Sequence, residues 1–203
     1  MSEVKIKICG LSRTEDITAV NHVLPDYIGF VFAESRRKIS AETAVELKKR
    51  LDGRITAVGV FVNQPVDFIA GLCQNGTIDI AQLHGDEDDG YIKRLKEICG
   101  CRVIKSVGVG GALPDLPVAA DYLLFDTLSE QRGGAGRVFD WSVIKEYCGT
   151  PYFLAGGLTP ENINEALRQL LPFCVDVSSG AETDGFKDSN KINELVQKVR
   201  RRQ

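Results

Sequence analysis

A cysteine and an aspartate each follow directly on a run of residues that is typical of a buried strand. Residues 5–8 lead into Cys9, and residues 122–125 lead into Asp126. A thiolate can act as a base, and a carboxylic acid beside apolar residues can act as an acid. The alternatives are that Cys9 is an inert buried residue and that Asp126 caps the turn that follows it. We expect the pair to perform acid–base chemistry if the fold brings both side chains to one pocket.

Charged residues on the first and last strand-like runs affect the ionisation state of the Cys9 thiol. Strand alternation places Lys7 on the same face as Cys9, one layer deeper. A cation there lowers the pKa of the thiol and favours the thiolate. The last run, residues 173–177, carries Asp176, and we expect its carboxylate to balance the charge of Lys7.

Glycine-containing turns follow the last three strand-like runs. Glycine has no Cβ, so backbone N–H groups in such turns can converge on an anion. One such turn alone indicates little, because glycine in a loop usually serves turn geometry. Three turns at one end of a sheet predict a phosphate site. The residues expected to hold the phosphate are Gly134, Ala135, Gly136, Gly156, Gly157, Ser179 and Gly180.

Two further polar residues follow earlier strand-like runs. Arg37 lies in a run of three cations, which is usually a solvated loop. A planar guanidinium at the mouth of a site is instead suited to a carboxylate on a substrate. His84 ends the fourth run, where it either faces the same mouth or forms an ordinary loop contact with backbone.

The elements that must position these residues alternate between strand-like and helix-like patterns. Eight short runs are rich in Val, Ile, Leu and Phe and often lack polar alternation, which is typical of strands covered on both faces. Eight such units predict a single-domain α/β fold, a (β/α)8 TIM barrel with a parallel eight-stranded sheet over residues 1–203, near the minimal length. An open doubly wound sheet would favour a glycine fingerprint after the first strand, which is absent. The expected strands are residues 4–8, 27–32, 55–61, 78–82, 102–107, 122–125, 152–155 and 173–177.

Several helix boundaries have recognisable signals. Ser40 is expected to cap the second helix, and Pro65 is expected in the first turn of the third. The segment from Thr159 opens the seventh helix, and residues 188–202 form the last one. The fifth crossover, residues 108–120, carries three glycines and two prolines and is expected to hold at most a short turn of helix.

Composition excludes several classes of function. The chain has 203 residues, 43% hydrophobic and 26% charged, with a net charge of −3, which argues against nucleic acid or an acidic membrane as partner. It has no apolar run of about 18 residues and no room for a signal peptide before the first strand. The six cysteines form no CxxC pair and only two histidines are present, so we expect no metal site. Reduced thiols and a cytoplasmic location are expected.

Taken in their order along the chain, the motifs resemble those of the phosphoribosylanthranilate isomerases, the small barrel enzymes of tryptophan biosynthesis. The resemblance covers nearly the whole chain, and the combination of the first, third and last motifs below is highly specific. The matching stretches are Lys7-Ile8-Cys9-Gly10, Ser35-Arg36-Arg37, Gln82-Leu83-His84-Gly85, Leu124-Phe125-Asp126-Thr127, Ala155-Gly156-Gly157-Leu158 and Val175-Asp176-Val177-Ser178-Ser179-Gly180.

The resemblance implies an aldose–ketose isomerase that carries out an Amadori rearrangement. It assigns Cys9 as the general base, Asp126 as the general acid and Arg37 as the ligand of the anthranilate carboxylate. Backbone amides of the glycine turns would hold the phosphate, and His84 would face the substrate without a firm role. It implies no cofactor, a small-molecule phosphoribosyl substrate as the partner, no nucleic acid, no membrane, and a monomer or homodimer.

Three other functions remain as alternatives. The related isomerase of histidine biosynthesis would need a second phosphate cradle in the first half of the barrel, where this chain has no glycine cluster. A non-catalytic phosphosugar-binding barrel would need neither Cys9 nor Asp126. A thiol redox sensor would need a resolving cysteine near Cys9, and none is obvious in the sequence.

Overall fold

Eight parallel strands form a closed barrel in this computed structural model, which describes residues 3–128 and 138–201. Each strand pairs with the next one along the chain, and the last pairs with the first. The predicted fold is therefore confirmed, with strand boundaries within about two residues of those expected. The strands are β1 (Lys5–Cys9), β2 (Tyr27–Val31), β3 (Thr56–Phe61), β4 (Ile80–Leu83), β5 (Arg102–Val109), β6 (Tyr122–Thr127), β7 (Tyr152–Leu154) and β8 (Cys174–Val177).

Helices cover the outside of the barrel, except after β5. Residues 110–121 contain no helix, as the glycines and prolines of this crossover predict. In the described part of the sixth crossover, the only helical element is a short 3-10 helix, Trp141–Ile144. The α-helices are α1 (Thr14–Val23), α2 (Ala41–Arg50), α3 (Val66–Gln74), α4 (Asp89–Cys99), α5 (Ile163–Gln169) and α6 (Ser189–Arg201). None of them, within the described residues, has the length and hydrophobicity to cross a membrane.

The helix starts agree only in part with the sequence signals. Ser40 caps α2, because its Oγ accepts a hydrogen bond from the Thr43 amide at 3.2 Å. Pro65 precedes α3 as its N-cap instead of lying in its first turn. The helix expected from Thr159 begins only at Ile163, because the residues between them form a turn.

A two-stranded hairpin that the sequence analysis missed follows β8. It consists of β9 (Glu182–Thr183) and β10 (Phe186–Lys187), which pair antiparallel. Asp184 and Gly185 form its turn, with φ values of 51° and 82°. An Asp-Gly pair with both φ values positive is typical of a type I′ hairpin turn, so a local signal for the hairpin was present.

The interior of the barrel is layered from one end to the other. An apolar layer at the amino-terminal ends of the strands includes Tyr27, Leu124 and Phe153. Lys7 is fully buried in the layer above it. Small apolar residues surround Cys9 at the carboxyl-terminal mouth. A closed apolar floor under a polar interior therefore leaves the mouth as the place where inward-pointing side chains meet a ligand.

Candidate active site

The closure of the barrel brings the first and last sequence motifs together. In the register between β1 and β8, Lys7 lies opposite Asp176. One residue beyond β8, the Ser178 hydroxyl donates a hydrogen bond to the carbonyl oxygen of Cys9 at 3.1 Å. The two motifs therefore line one mouth.

Lys7 and Asp176 form a buried ion pair below the mouth. The Lys7 Nζ lies 2.8 Å from Asp176 Oδ2 and 2.6 Å from Gln82 Oε1. The expected partner of Lys7 is therefore confirmed, and Gln82 is a partner that the sequence analysis missed. Burial lowers the pKa of Lys7, but Asp176 and Cys9 raise it by more, so Lys7 keeps its charge.

The Cys9 thiol is buried at the mouth above this pair. It packs over Gly29, where an added Cβ would lie 2.5 Å from the sulfur, so only glycine leaves room for it. Burial raises the pKa of Cys9, and Asp176 raises it further, whereas Lys7 and Lys187 lower it. The effect expected of Lys7 is present, but burial outweighs it, and the net pKa lies above the ordinary value.

Asp126 and His84 meet on another side of the mouth. The Asp126 Oδ2 lies 3.5 Å from His84 Nε2, and Oδ1 accepts a hydrogen bond from the Thr127 amide at 2.8 Å. The Ser106 hydroxyl lies 3.3 Å from the same His84 nitrogen. The His84 ring therefore contacts side chains at the mouth, including that of the expected acid, instead of the loop backbone.

A chain of hydrogen bonds fixes the tautomer of His84. The amide oxygen of Gln82 accepts from Lys7, so the amide nitrogen of Gln82 faces His84 Nδ1, at 3.1 Å. This nitrogen can only donate, so Nδ1 accepts and the proton of the neutral ring lies on Nε2. The buried lysine thereby aims an N–H group of His84 at the Asp126 carboxylate.

Arg37 is held in place by a carboxylate that the sequence analysis missed. Its Nε and Nη2 donate to the two oxygens of Glu182, at 2.6 and 3.0 Å. Only 15% of the Arg37 side chain is exposed, so it does not belong to a solvated loop. Glu182 raises the pKa of Arg37. An added Cβ at Gly10, whose φ is +87°, would collide with the Arg37 side chain, which therefore lies over the end of β1.

Glu182 forms ion pairs with two further cations, one in the hairpin and one in the loop after β2. Lys187 Nζ lies 2.6 Å from its Oε1, and Arg36 Nη2 lies 2.5 Å from its Oε2. Burial raises the pKa of Glu182, but the bonds from Arg37 and Lys187 lower it by more, so the carboxylate stays ionised. Burial also lowers the pKa of Lys187 below its ordinary value, and Lys187 in turn acts on Cys9.

The turns after β7 and β8 lie against each other. Gly156 and Gly157 have φ values of +85° and +68°, which favour glycine. An added Cβ at Gly180 would overlap the carbonyl oxygen of Leu158, so the backbones of the two turns are in close contact. Ser179 and Gly180 belong to a 3-10 helix. The expected residues Gly134, Ala135 and Gly136 lie outside the described residues.

A cavity of about 430 Å³ opens beside this mouth, on the side where the barrel lacks a helix. Its lining includes Ser106, Gly108 and the segment Pro114–Pro117, but neither Cys9 nor Asp126. The candidate acid and base therefore lie at the mouth and not in this cavity.

Known proteins share both the sequence and the fold. Residues 6–198 match the family model described as N-(5'phosphoribosyl)anthranilate (PRA) isomerase. The N-(5'-phosphoribosyl)anthranilate isomerase of Endomicrobium trichonymphae is 52% identical over 197 residues, which cover 97% of this chain and 98% of that protein.

Solved structures give the same result. The phosphoribosyl anthranilate isomerase of Thermus thermophilus is 31% identical with a TM-score of 0.86, covering 98% of this chain and 100% of that one. A phosphoribosyl anthranilate isomerase crystallised with reduced 1-(o-carboxyphenylamino)-1-deoxyribulose 5-phosphate is 32% identical with a TM-score of 0.80, covering 97% and 98%. With the match extending over nearly its whole length, this chain belongs to the N-(5'-phosphoribosyl)anthranilate isomerase family.

Proposed function

We propose that this enzyme isomerises N-(5'-phosphoribosyl)anthranilate by two proton transfers, with Asp126 as the acid and Cys9 as the base. The observation that carries the assignment is that Cys9 ends β1 and Asp126 lies one residue before the end of β6, so both lie at the same mouth of the barrel. Each lies beside groups that stabilise its anionic form. The product is the ketose 1-(o-carboxyphenylamino)-1-deoxyribulose 5-phosphate.

Asp126 acts first, by giving its proton to the ring oxygen of the furanose. The bond between C1 and that oxygen then breaks, and the nitrogen lone pair forms a Schiff base to C1. The carboxylate left behind accepts a hydrogen bond from the Thr127 amide, and its other oxygen lies 3.5 Å from His84 Nε2. These donors stabilise the anion that forms in the step.

Cys9 then removes the proton from C2 as a thiolate. The electron pair of the C2–H bond forms the C1=C2 double bond of an enolamine, and the iminium nitrogen becomes neutral. The enolamine tautomerises to the ketone. Lys7 and Lys187 lower the pKa of the thiol and so favour the thiolate form that acts as the base. Binding of substrate over the mouth excludes water and strengthens these interactions.

Arg37 is the ligand proposed for the anthranilate carboxylate. Glu182 accepts from two of its five N–H groups, which leaves three that can face the substrate. Because Glu182 fixes the plane of the guanidinium, the side chain does not lose rotamer freedom on binding. Glu182 is therefore proposed as a positioning residue.

The phosphate is proposed to lie between the turns after β7 and β8. Gly156, Gly157, Ser179 and Gly180 present backbone there at close approach, and the 3-10 helix begins in the second turn. Barrels frequently bind phosphate with these two loops and the start of a short helix. A contribution from residues 134–136 stays a prediction.

The composition of the chain and the proposed substrate bear on the partner, location and oligomeric state of the enzyme. A small phosphorylated metabolite is the expected partner, and the net charge of −3 favours neither nucleic acid nor an acidic membrane surface. All six cysteines are free, which is in keeping with the reducing cytoplasm that we propose as its location. A monomer or a homodimer is expected, and light scattering decides between them.

The test is turnover of substrate made in place from anthranilate and phosphoribosyl pyrophosphate, followed by loss of substrate fluorescence. We expect Cys9→Ser and Asp126→Asn each to lose at least about 10²-fold in kcat. Cys148→Ser, which changes an exposed cysteine, should keep the wild-type rate. Near-normal kcat in either of the first two variants would contradict the role given to that residue.

A further inference from the structure

We propose that Cys73, Cys99 and Cys101 form a binding site for a thiophilic d10 cation of the Zn²⁺ type, at the amino-terminal end of the barrel. Their three sulfur atoms all lie within 4.8 Å of one another. The absence of a CxxC pair predicts no metal site, but the fold gathers thiols that lie 26 and 28 residues apart in the chain. The site lies at the opposite end of β5 from the catalytic mouth.

The sulfur spacing is close to that of a metal–thiolate centre. With Zn–S bonds of about 2.3 Å, sulfur atoms lie about 3.8 Å apart in a tetrahedral site and about 4.0 Å apart in a trigonal one. Each pair of thiols therefore has to close by less than about 1 Å. A rotation of the side chains about χ1 or a small shift of a helix end supplies a movement of that size.

Local structure holds the three residues in this arrangement. Cys99 is the last residue of α4, and Gly100 follows it with a left-handed φ of 65°, which reverses the chain. This turn brings Cys101 back beside the helix end from which it emerged. Cys73 lies one residue before the end of α3. The Gln74 side chain joins the two helix ends next to the thiols, by donating to the carbonyl oxygen of Ile98 at 3.2 Å.

The surroundings favour a soft cation over a hard one. Among residues 3–128 and 138–201, the group of potential ligands at this place consists of the three thiols alone. Thiolate ligands select Zn²⁺, Cu⁺ or Cd²⁺ over Mg²⁺ or Ca²⁺. The carboxylate that acts on Cys101 is that of Asp121, and both of its oxygens are already engaged, by Lys96 and by the Val103 amide. A water molecule or another small ligand therefore completes the coordination.

The site is half-open, so a cation can reach it from solvent. Cys73 and Cys99 are partly exposed, and Cys101 is 9% exposed. As each sulfur–metal bond forms, the thiol proton leaves to solvent. The bound cation ties the ends of α3 and α4 to the start of β5, and this stabilises the barrel without a contact to the catalytic residues.

Cadmium binding tests the proposal directly. Reduced protein carrying Cys9→Ser, which removes the reactive thiol of the mouth, is titrated with Cd²⁺ under argon. We expect one equivalent to produce the near-ultraviolet charge-transfer band of cadmium thiolate. At about 100 times the Kd, Tm should rise by roughly 5 to 10 °C. Zn²⁺ should compete for the same equivalent, and a chelator should reverse both effects.

Variants on this background locate the site. Adding Cys101→Ser or Cys99→Ser should abolish the band and the rise in Tm, and adding Cys148→Ser should leave both unchanged. Two separate variants are used because Cys101 is buried and Cys99 is partly exposed. Absence of the band in folded protein, or a band that survives both changes, would overturn the proposal.

Discussion

The two charges below Cys9 should move its pKa in opposite directions. Asp176 raises the pKa of the thiol, and Lys7 lowers it. In Asp176→Asn, Lys7 loses its carboxylate partner, keeps an amide oxygen as acceptor, and turns its charge toward the thiolate. We expect the pKa of Cys9 to fall. In Lys7→Met, the thiol loses a cation, and we expect its pKa to rise.

The size of the effect follows from the contacts at the mouth. An opposite charge within about 4–6 Å shifts a pKa by about 1 to 3 units. Burial already places the pKa of Cys9 above its ordinary value, so the thiol form predominates in the free enzyme near neutral pH. A fall of about 2 units in Asp176→Asn multiplies the thiolate fraction about 100-fold, which corresponds to about 2.7 kcal/mol.

Two assays measure this shift independently. The rate of alkylation by iodoacetamide against pH gives the pKa of the thiol, and the profile of kcat/KM against pH gives that of the base in the free enzyme. Activity should rise with pH as Cys9 ionises, with its midpoint displaced to lower pH in Asp176→Asn. Lys187 and Arg37 also face the thiol, and both stay in place in these variants. An unchanged midpoint in both variants, or movement of both in one direction, would refute the electrostatic argument.

Three further predictions concern the residues around the mouth. Glu182→Gln should raise KM about 10-fold with little change in kcat, because Arg37 loses a charged partner that orients it; steady-state kinetics checks this. The pKa of Glu182 is lowered in the folded protein, so its contribution to stability is present above about pH 4.5 and lost as pH falls; Tm of Glu182→Gln should therefore decline less on acidification. Gly180→Ala places a methyl against Leu158 and should lower Tm by roughly 2 to 12 °C, with weakened binding of inorganic phosphate measured by calorimetry.

The sequence predicts the barrel well because each strand carries its own signal. Continuous Val, Ile, Leu and Phe runs indicate burial on both faces, and eight of them with crossovers leave few topologies. With β1 and β8 as neighbours, period-two alternation puts Lys7 and Asp176 on the inner face of the barrel, and the structure shows them in register. The positions of Cys9 and Asp126 at the mouth follow from the same alternation.

Contacts that do not follow from the pairing of neighbouring strands could not be predicted in this way. Glu182 reaches Arg37 across 145 residues of sequence, and nothing in either segment indicates the partner. The link from Gln82 to His84 depends on which amide atom faces Lys7, and this is set only by the packed interior. The net pKa of Cys9 likewise depends on how much water the folded mouth excludes, because burial outweighs the cations that the sequence shows.

The buried pair of Lys7 and Asp176 is expected to serve the reaction more than the stability of the fold. Removing two charges from water costs several kcal/mol each, and an apolar pair of similar volume is often as stable or more stable. We therefore expect Lys7→Met/Asp176→Leu to fold with a Tm equal to or above that of the wild type.

The same double variant should lose activity. His84 would no longer face a fixed amide of Gln82, whose Oε1 loses its donor. Cys9 would lose both Lys7 and Asp176, and because Lys7 has the larger effect on its pKa, the thiolate would be less favoured. We expect kcat/KM of the double variant to fall at least about 10-fold while its Tm stays at or above that of the wild type. Lys7→Met alone is the control: it leaves Asp176 buried and unpaired, so its Tm should fall. A double variant that is both unstable and fully active when folded would mean that this pair serves the stability of the fold, and that the chain of contacts from Lys7 through Gln82 and His84 to Asp126 has no part in catalysis.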